Sequence, residues 1–457
     1  MVNMKIKYNT VTEGFDWGPA ITKLVVQMDD RHRLNIKDMK TNNFDIRSFR
    51  HVGDHQVDSG QVDMTFGHEC EVTCVYVSDE KGDEDKAGHF FTICLKVGPD
   101  RIENSPLIYS DRDNVNRFVD VHYQISLKSD HFIEDMTGAP CVLMNTEQQD
   151  KLRNYNLICD DFEHNQKYAY EGRKLTYASF APKNRTDEKL PLIVWLHGAG
   201  EGGQDTKIAV LGNRVTNLAA PLVQSKFGVG GAYVLVPQTP TIWMDLDGES
   251  NYNIHVPNSD GKSYYTEALM HLIDDYVMDN ENIDTSRIYL GGCSNGGYMT
   301  IQMLVNHPNY FAAAFPIAEA YHVDWLTDQR LDVLEKVPMW ITHAKNDPVV
   351  VIDKKYIDSA FVVLDGYIGN QNESDTSLLD HFSNALFARL KARGAKDIHY
   401  SLFDRVIDTS DTYKDELGNA YEYHGHFSWI YALNDECVQI IEGKRVSLFE
   451  WLSAKRL

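Results

Sequence analysis

Tyr289-Leu-Gly-Gly-Cys-Ser-Asn-Gly-Gly297 is the stretch whose reading decides the fold. Within it, Gly292-Cys293-Ser294-Asn295-Gly296 fits the Gly-x-Ser-x-Gly pattern, in which a sharp turn between strand and helix lifts a serine hydroxyl above a sheet. Glycines flank the serine because a side chain there would collide with the turn and the following helix. Before it, Arg287-Ile-Tyr-Leu-Gly291 is a short apolar run rich in β-formers, as in a buried parallel strand. After it, Tyr298, Ile301, Leu304 and Val305 recur at helical spacing until Asn306-His307-Pro308 stops the pattern. Strand, tight turn, helix is the context the motif requires; the competing reading is a glycine-rich turn with an ordinary serine.

Outward from this point, the chain alternates. Residues 174–181, 190–196, 232–236, 287–291, 311–317, 338–342 and 399–403 read as strands, and 264–278 and 378–393 as helices. Such alternation predicts an α/β fold, a mainly parallel sheet with helices on both faces and functional groups at the carboxyl ends of its strands. Upstream the period changes to two. Val119, Val121, Tyr123, Ile125 and Leu127 alternate with polar residues, and 21–28, 62–77 and 89–97 behave similarly. Short strands without a convincing helix predict a smaller all-β, immunoglobulin-like sandwich over 1–130. A polar linker over 131–165 and a larger α/β domain over 166–457 complete the expected organisation.

The composition bounds the partners. At 457 residues, two domains are the default, and 43% hydrophobic residues without a long apolar run describe a soluble protein. The first residues, Met1-Val-Asn-Met-Lys-Ile-Lys, hold no apolar stretch of signal-peptide length, so a cytoplasmic location is expected. Seven cysteines without CxxC pairs or His-rich spacing read as free thiols in a reducing compartment, with no metal site. A net charge of −23 opposes binding to nucleic acid or anionic membranes.

Three further segments carry chemistry. His197-Gly-Ala-Gly-Glu-Gly-Gly203 directly follows a strand, and its glycines let main-chain N–H groups face an oxyanion. It lacks the endings and spacing of phosphate-binding loops. In an elbow fold the donors are the N–H after the serine, here Asn295, and one from this loop, Ala199 with Gly200 as the near alternative. A serine hydroxyl needs a base to take its proton, and that base needs a third group to fix its tautomer, in the chain order Ser, Asp or Glu, His. Asp347, in His343-Ala-Lys-Asn-Asp347-Pro, stands beyond a strand end and is preferred to Asp332 and Asp353, although Asn-Asp-Pro is also ordinary turn chemistry. In Tyr423-His424-Gly-His426-Phe-Ser-Trp429, His426 is preferred to His424 because Gly425 frees the backbone before it. His343 and His424 read as structural and Cys293 as core. Trp243 and Trp429 are candidate pocket walls, with core packing the alternative, and the polar segments 244–262 and 351–377 are candidate rims.

These motifs together, with Ile283-Asp-Thr-Ser-Arg-Ile-Tyr-Leu-Gly-Gly-Cys-Ser-Asn-Gly-Gly-Tyr-Met-Thr300 and Gly425-His-Phe-Ser-Trp429, resemble the α/β-hydrolase carboxylesterases with an N-terminal immunoglobulin-like domain, related to prolyl-oligopeptidase-type, feruloyl and acetylxylan esterases. The segment from Gly14-Phe-Asp-Trp-Gly resembles that extra domain less sharply. The resemblance implies Ser294 as nucleophile, Asp347 as acid and His426 as base. It implies a small-molecule ester substrate without metal or organic cofactor, and an N-terminal module for packing or for association between copies. Asn295 departs from the methionine or glutamine frequent there. A serine peptidase on the same triad, and a non-catalytic binding protein on the same fold, are the other expectations to test.

Overall fold

The computed structural model describes residues 2–4, 6–28, 40–52, 64–86, 88–110, 114–128, 133–138, 140–143, 149–183, 188–250, 261–359 and 378–457. Two compact units divide the chain, Met1–Asp161 and Phe162–Leu457.

In the first unit, a five-stranded sheet runs in the order Asp150–Asn156, Lys7–Phe15, Gly18–Gln27, Phe90–Leu95, Val72–Ser78, and a three-stranded sheet in the order Asp120–Leu127, Phe44–His51, Met64–Glu69. Successive side chains in a strand point to opposite faces, so the period-two pattern supplies one apolar face per strand. Ile21, Leu24, Val26, Phe91 and Ile93 from one sheet meet Phe44, Ile46, Val121, Tyr123 and Ile125 from the other in a single core. The sandwich therefore stands as read, but part of the expected linker does not. Asp150–Asn156 is an edge strand parallel to Lys7–Phe15. Its polar, largely exposed residues carry no periodic signal. Cys74 and Cys94 face each other across two antiparallel strands and form a disulfide, which corrects the free-thiol reading for this pair. Register across strands, invisible in the spacing along the chain, brings them together. Cys70, Cys293 and Cys437 are free thiols, and these three and Cys159 are buried.

The second unit is built on eight strands: β1 (Glu163–Tyr170), β2 (Arg173–Phe180), β3 (Leu190–Leu196), β4 (Tyr233–Gln238), β5 (Ile283–Cys293), β6 (Ala313–Ile317), β7 (Met339–Ala344) and β8 (Ile398–Phe403). They lie in the order β1-β2-β4-β3-β5-β6-β7-β8. The pairs β1–β2 and β2–β4 are antiparallel and the rest parallel. Strands β3, β4, β6 and β7 are buried along their whole length, which is why they read as continuous apolar runs. Strand β1 begins inside the segment read as linker and runs on into the domain read from residue 166; its outward face is polar. Helices α1 (Thr266–Asp279), α2 (Asn295–Asn306) and α3 (Phe382–Ala392) cover the sheet, with Leu269, Ile273, Ile301, Leu304 and Leu386 in the core beside Leu192, Val194 and Leu290.

Ser294 stands alone between β5 and α2 at φ 54°, ψ −115°, a conformation that costs a side-chain-bearing residue about 1–3 kcal/mol. Its N–H donates to Ile317 O at 2.9 Å, and its carbonyl accepts from Tyr298 N–H at 2.9 Å, which fixes the turn from both sides. A Cβ on Gly296 would sit 2.0 Å from Leu196 O and 2.6 Å from His197 O, so only glycine admits the end of β3 this close. Gly296→Ala is expected to cost about 4 kcal/mol or more through a forced backbone shift. Circular-dichroism melting checks it; an unchanged Tm would mean that β3 and the elbow do not pack as described.

Candidate active site

Asp347 lies on the loop beyond β7 with its side chain 0% exposed. Its Oδ1 accepts the N–H groups of Val349 at 2.8 Å and Val350 at 2.9 Å. Its Oδ2 meets His426 Nδ1 at 2.8 Å and His343 Nε2 at 3.0 Å. Burial by itself would raise this carboxyl, but the His426 charge and the hydrogen bonds of both imidazoles hold it well below the usual carboxylate range. An anion here fixes the tautomer: His426 carries its proton on Nδ1, which leaves Nε2 to accept one. Asn346 and Gly425 bring the two loops together, since a Cβ on Gly425 would lie 2.0 Å from Asn346 O. Trp429 stands edge-on to the His426 ring, centroids 5.3 Å apart.

The rejected alternatives are occupied elsewhere. Asp332 is exposed and pairs with Arg393, and Asp353 caps a turn by accepting Lys355 N–H at 3.0 Å. His424 is exposed and packs on Phe427. Ser294, half-buried at its turn, makes no side-chain hydrogen bond among the described residues. In ligand-free hydrolases this contact commonly closes only around substrate.

The loop after β3 turns tightly at Ala199–Glu201, where the N–H groups of Glu201 and Gly202 each reach back 3.3 Å to the carbonyls of Gly198 and Ala199. The N–H groups of Ala199 and Gly200 have no acceptor among the described residues. Asn295 opens α2, where no preceding helical carbonyl can take its N–H. His197 is buried and burial pushes it down to about 4, so it is neutral. Its Nδ1–H donates to Gly198 O at 2.6 Å and its Nε2 accepts Thr239 N–H at 3.1 Å, which ties the loop to the end of β4.

One expectation changes here. Trp243 is fully buried, packs edge-on against Tyr265 and donates its indole N–H to His197 O at 3.1 Å. It supports the glycine loop from beneath and is not a pocket wall. The Asn295 side chain accepts Trp243 N–H at 2.6 Å and so joins the elbow to the loop after β4. Its amide at a buried helix start was the available signal. Residues 251–260 and 360–377, the centres of both candidate rims, lie outside the described residues. In the described part of the first rim, Asp245 gathers Thr241 and the N–H groups of Asp247, Gly248 and Ser250 into a fixed turn.

Sequence reasoning missed two buried carboxyls. Burial pushes Glu201 up to about 7, against the pull of Gly198 N–H, Asn213 and, more weakly, the charge of His426. Glu319, just beyond β6, is pushed up to about 8 by burial, opposed by Tyr321 N–H, which it accepts at 2.6 Å, and by the Ser383 hydroxyl. Among the described residues no cluster of His, Cys, Asp or Glu could hold a metal ion, and no helix is long and apolar enough to cross a membrane.

Against known proteins, residues 7–137 match the esterase Ig-like N-terminal domain and residues 266–347, from α1 through the elbow to Asp347, the prolyl oligopeptidase family. A thermostable esterase of known structure is 22% identical with a TM-score of 0.71, covering 98% of this chain and 99% of its own. A ferulic acid esterase (14% identity, TM-score 0.37, 59% of this chain and 93% of its own) and the acylaminoacyl peptidase of Pyrococcus horikoshii (15%, 0.35, 54% and 37%) are more distant. No curated protein sequence matches. The two family matches and the shared architecture make this chain a serine hydrolase of the α/β-hydrolase fold, preceded in the sequence by an esterase-type immunoglobulin-like domain.

Proposed function

We propose that the chain hydrolyses carboxylic esters through an acyl-enzyme, with Ser294 as nucleophile, His426 as base and Asp347 as the group that orients and stabilises it. The observation that carries this reading is the Asp347–His426 contact on the loops beyond β7 and before the C-terminus, in the chain order an elbow serine requires. Ser294 Oγ forms a bond to the ester carbonyl carbon while its proton passes to His426 Nε2. The carbonyl oxygen takes the electron pair and is held by the N–H of Asn295 and that of Ala199 or Gly200. Such donors contribute on the order of 10²–10³ in rate each. Collapse expels the alcohol, which takes the proton from His426, and water repeats the cycle to release the acid.

Polarity and charge support a substrate class. A lipase presents a broad apolar surface to an interface, whereas the Asp245 turn is polar and the net charge of −23 repels anionic lipid and fatty-acid products. Compact acyl groups, acetyl or feruloyl esters of sugars among them, fit this reading. In a series of p-nitrophenyl esters, kcat/KM is expected to fall by about tenfold or more from acetyl and butyryl to lauroyl. Faster turnover of emulsified long-chain triglycerides would overturn the compact-acyl reading, and preference for peptide amides over esters would move the chain to the peptidases that share this triad.

A further inference from the structure

His343 directly ends the strand that delivers Asp347, and it was read as a structural histidine. Its position in the site is more specific. Its Nε2 lies 3.0 Å from Asp347 Oδ2 and 3.0 Å from Val350 O, both acceptors, so Nε2 carries the proton. Its Nδ1, 2.8 Å from Ser383 Oγ, then accepts the serine hydroxyl of α3. The same Oδ2 accepts His426 Nδ1–H, so one oxygen serves two imidazoles. His343, Asp347 and Ser383 are all fully buried, where such bonds are not exchanged for water.

We propose that His343 is a positioning residue that shares Asp347 Oδ2 with His426 and so limits how strongly the acid supports the protonated base. This rests on the triad proposed above. An oxygen that gives part of its charge to a second N–H binds the first less tightly. The imidazolium formed during acyl transfer is therefore less stabilised than in a pair without a competitor, and His426 releases its proton to the leaving group more readily. Other groups face this pair: His424 on the loop of His426, Glu201 beyond β3, Tyr400 on β8 toward Asp347, and Glu319 beyond β6 behind Ser383 and Tyr400. Of these groups, only His343 is hydrogen-bonded to Asp347 in the described structure.

His343→Leu removes the competing donor without leaving a large void. Asp347 then turns more of its charge to His426, so the acid limb of the kcat/KM profile moves up by about 0.5–1 pH unit. The plateau of kcat falls about tenfold because the acid loses one of four donors that orient it, and KM is unchanged because His343 does not touch substrate. His343→Gln, which offers an amide N–H in place of Nε2–H, restores the limb. Ser383→Ala, which releases Nδ1 and also removes the hydroxyl beside Glu319, moves it in the same direction by less. The experiment measures these profiles with an aryl ester, together with the pH dependence of fluorophosphonate labelling followed by intact mass. Profiles of His343→Leu and Ser383→Ala that superimpose on the wild type, with only Tm lowered, would overturn the proposal. Should His343→Leu not fold, the Ser383→Ala profile decides alone. Wild-type protein that does not label at Ser294 would instead overturn the triad.

Discussion

Ser294→Ala is expected to lower ester turnover by about 10⁶-fold while leaving the melting temperature close to that of the wild type. Loss of the hydroxyl removes the only atom proposed to form the covalent bond. The turn itself survives, because it is held by main-chain bonds from Ser294 to Ile317 and Tyr298, and these need no side chain. An alanine also meets the same backbone strain at φ 54° as the serine does. Aryl-ester turnover and a thermal melt on the same preparation test both halves. Hydrolysis near the wild-type rate would place the nucleophile on another residue, and a collapsed melt would mean that the hydroxyl does structural work not visible in its surroundings.

The next largest effect is expected at His426. His426→Ala should lower kcat by a similar factor, about 10⁶, and the double variant with Ser294→Ala should cost little more than either alone, because the two act as one unit. His424→Ala, two residues away, should change the rate no more than about threefold, as for a surface substitution that breaks no named interaction. The distinction is geometric: His426 bonds Asp347 at 2.8 Å and is braced by Trp429, whereas His424 is exposed and rests on Phe427. Equal losses at both positions, or the reverse ranking, would show that the base is the other histidine.

Buried parallel strands announce themselves, because residues such as Leu190-Pro-Leu-Ile-Val-Trp-Leu196 are apolar on both faces and the glycines around Ser294 mark a close approach of backbones. The strands Asp150–Asn156 and Glu163–Tyr170 gave no such signal: each lies at a sheet edge with a wetted face, so composition reads the first, and the start of the second, as linker. Among the site groups, Asp347 and His426 were legible because chain order and turn chemistry restrict the choice. The paired roles of His343 and Asn295 were not, since each depends on which acceptor folding brings opposite it. Trp243, for which a pocket wall and core packing were both open, is fully buried. The expectation of a reducing compartment rested on seven free thiols, and the Cys74–Cys94 bridge removes that support.

The two buried carboxyls beyond β3 and β6 each take up a proton when the chain folds. Glu201 is raised to about 7 and Glu319 to about 8, both above the value an unfolded glutamate has. At a pH of about 6 the native chain therefore retains two protons that the unfolded chain has released, and the stability they contribute is complete below a pH of about 4 and is lost as pH rises through 7 and 8. Asp347, held below the usual carboxylate range, works in the opposite sense and adds stability that disappears only in stronger acid. Unfolding near a pH of about 6 should then discharge close to two protons from these carboxyls, offset by protons taken up by His197, His307, His322 and His424, whose burial holds them below the ordinary imidazole value. Replacing Glu201 and Glu319 by Gln should lower the net release near a pH of about 6 by close to two protons, read from calorimetric enthalpies in buffers of high and low ionisation heat.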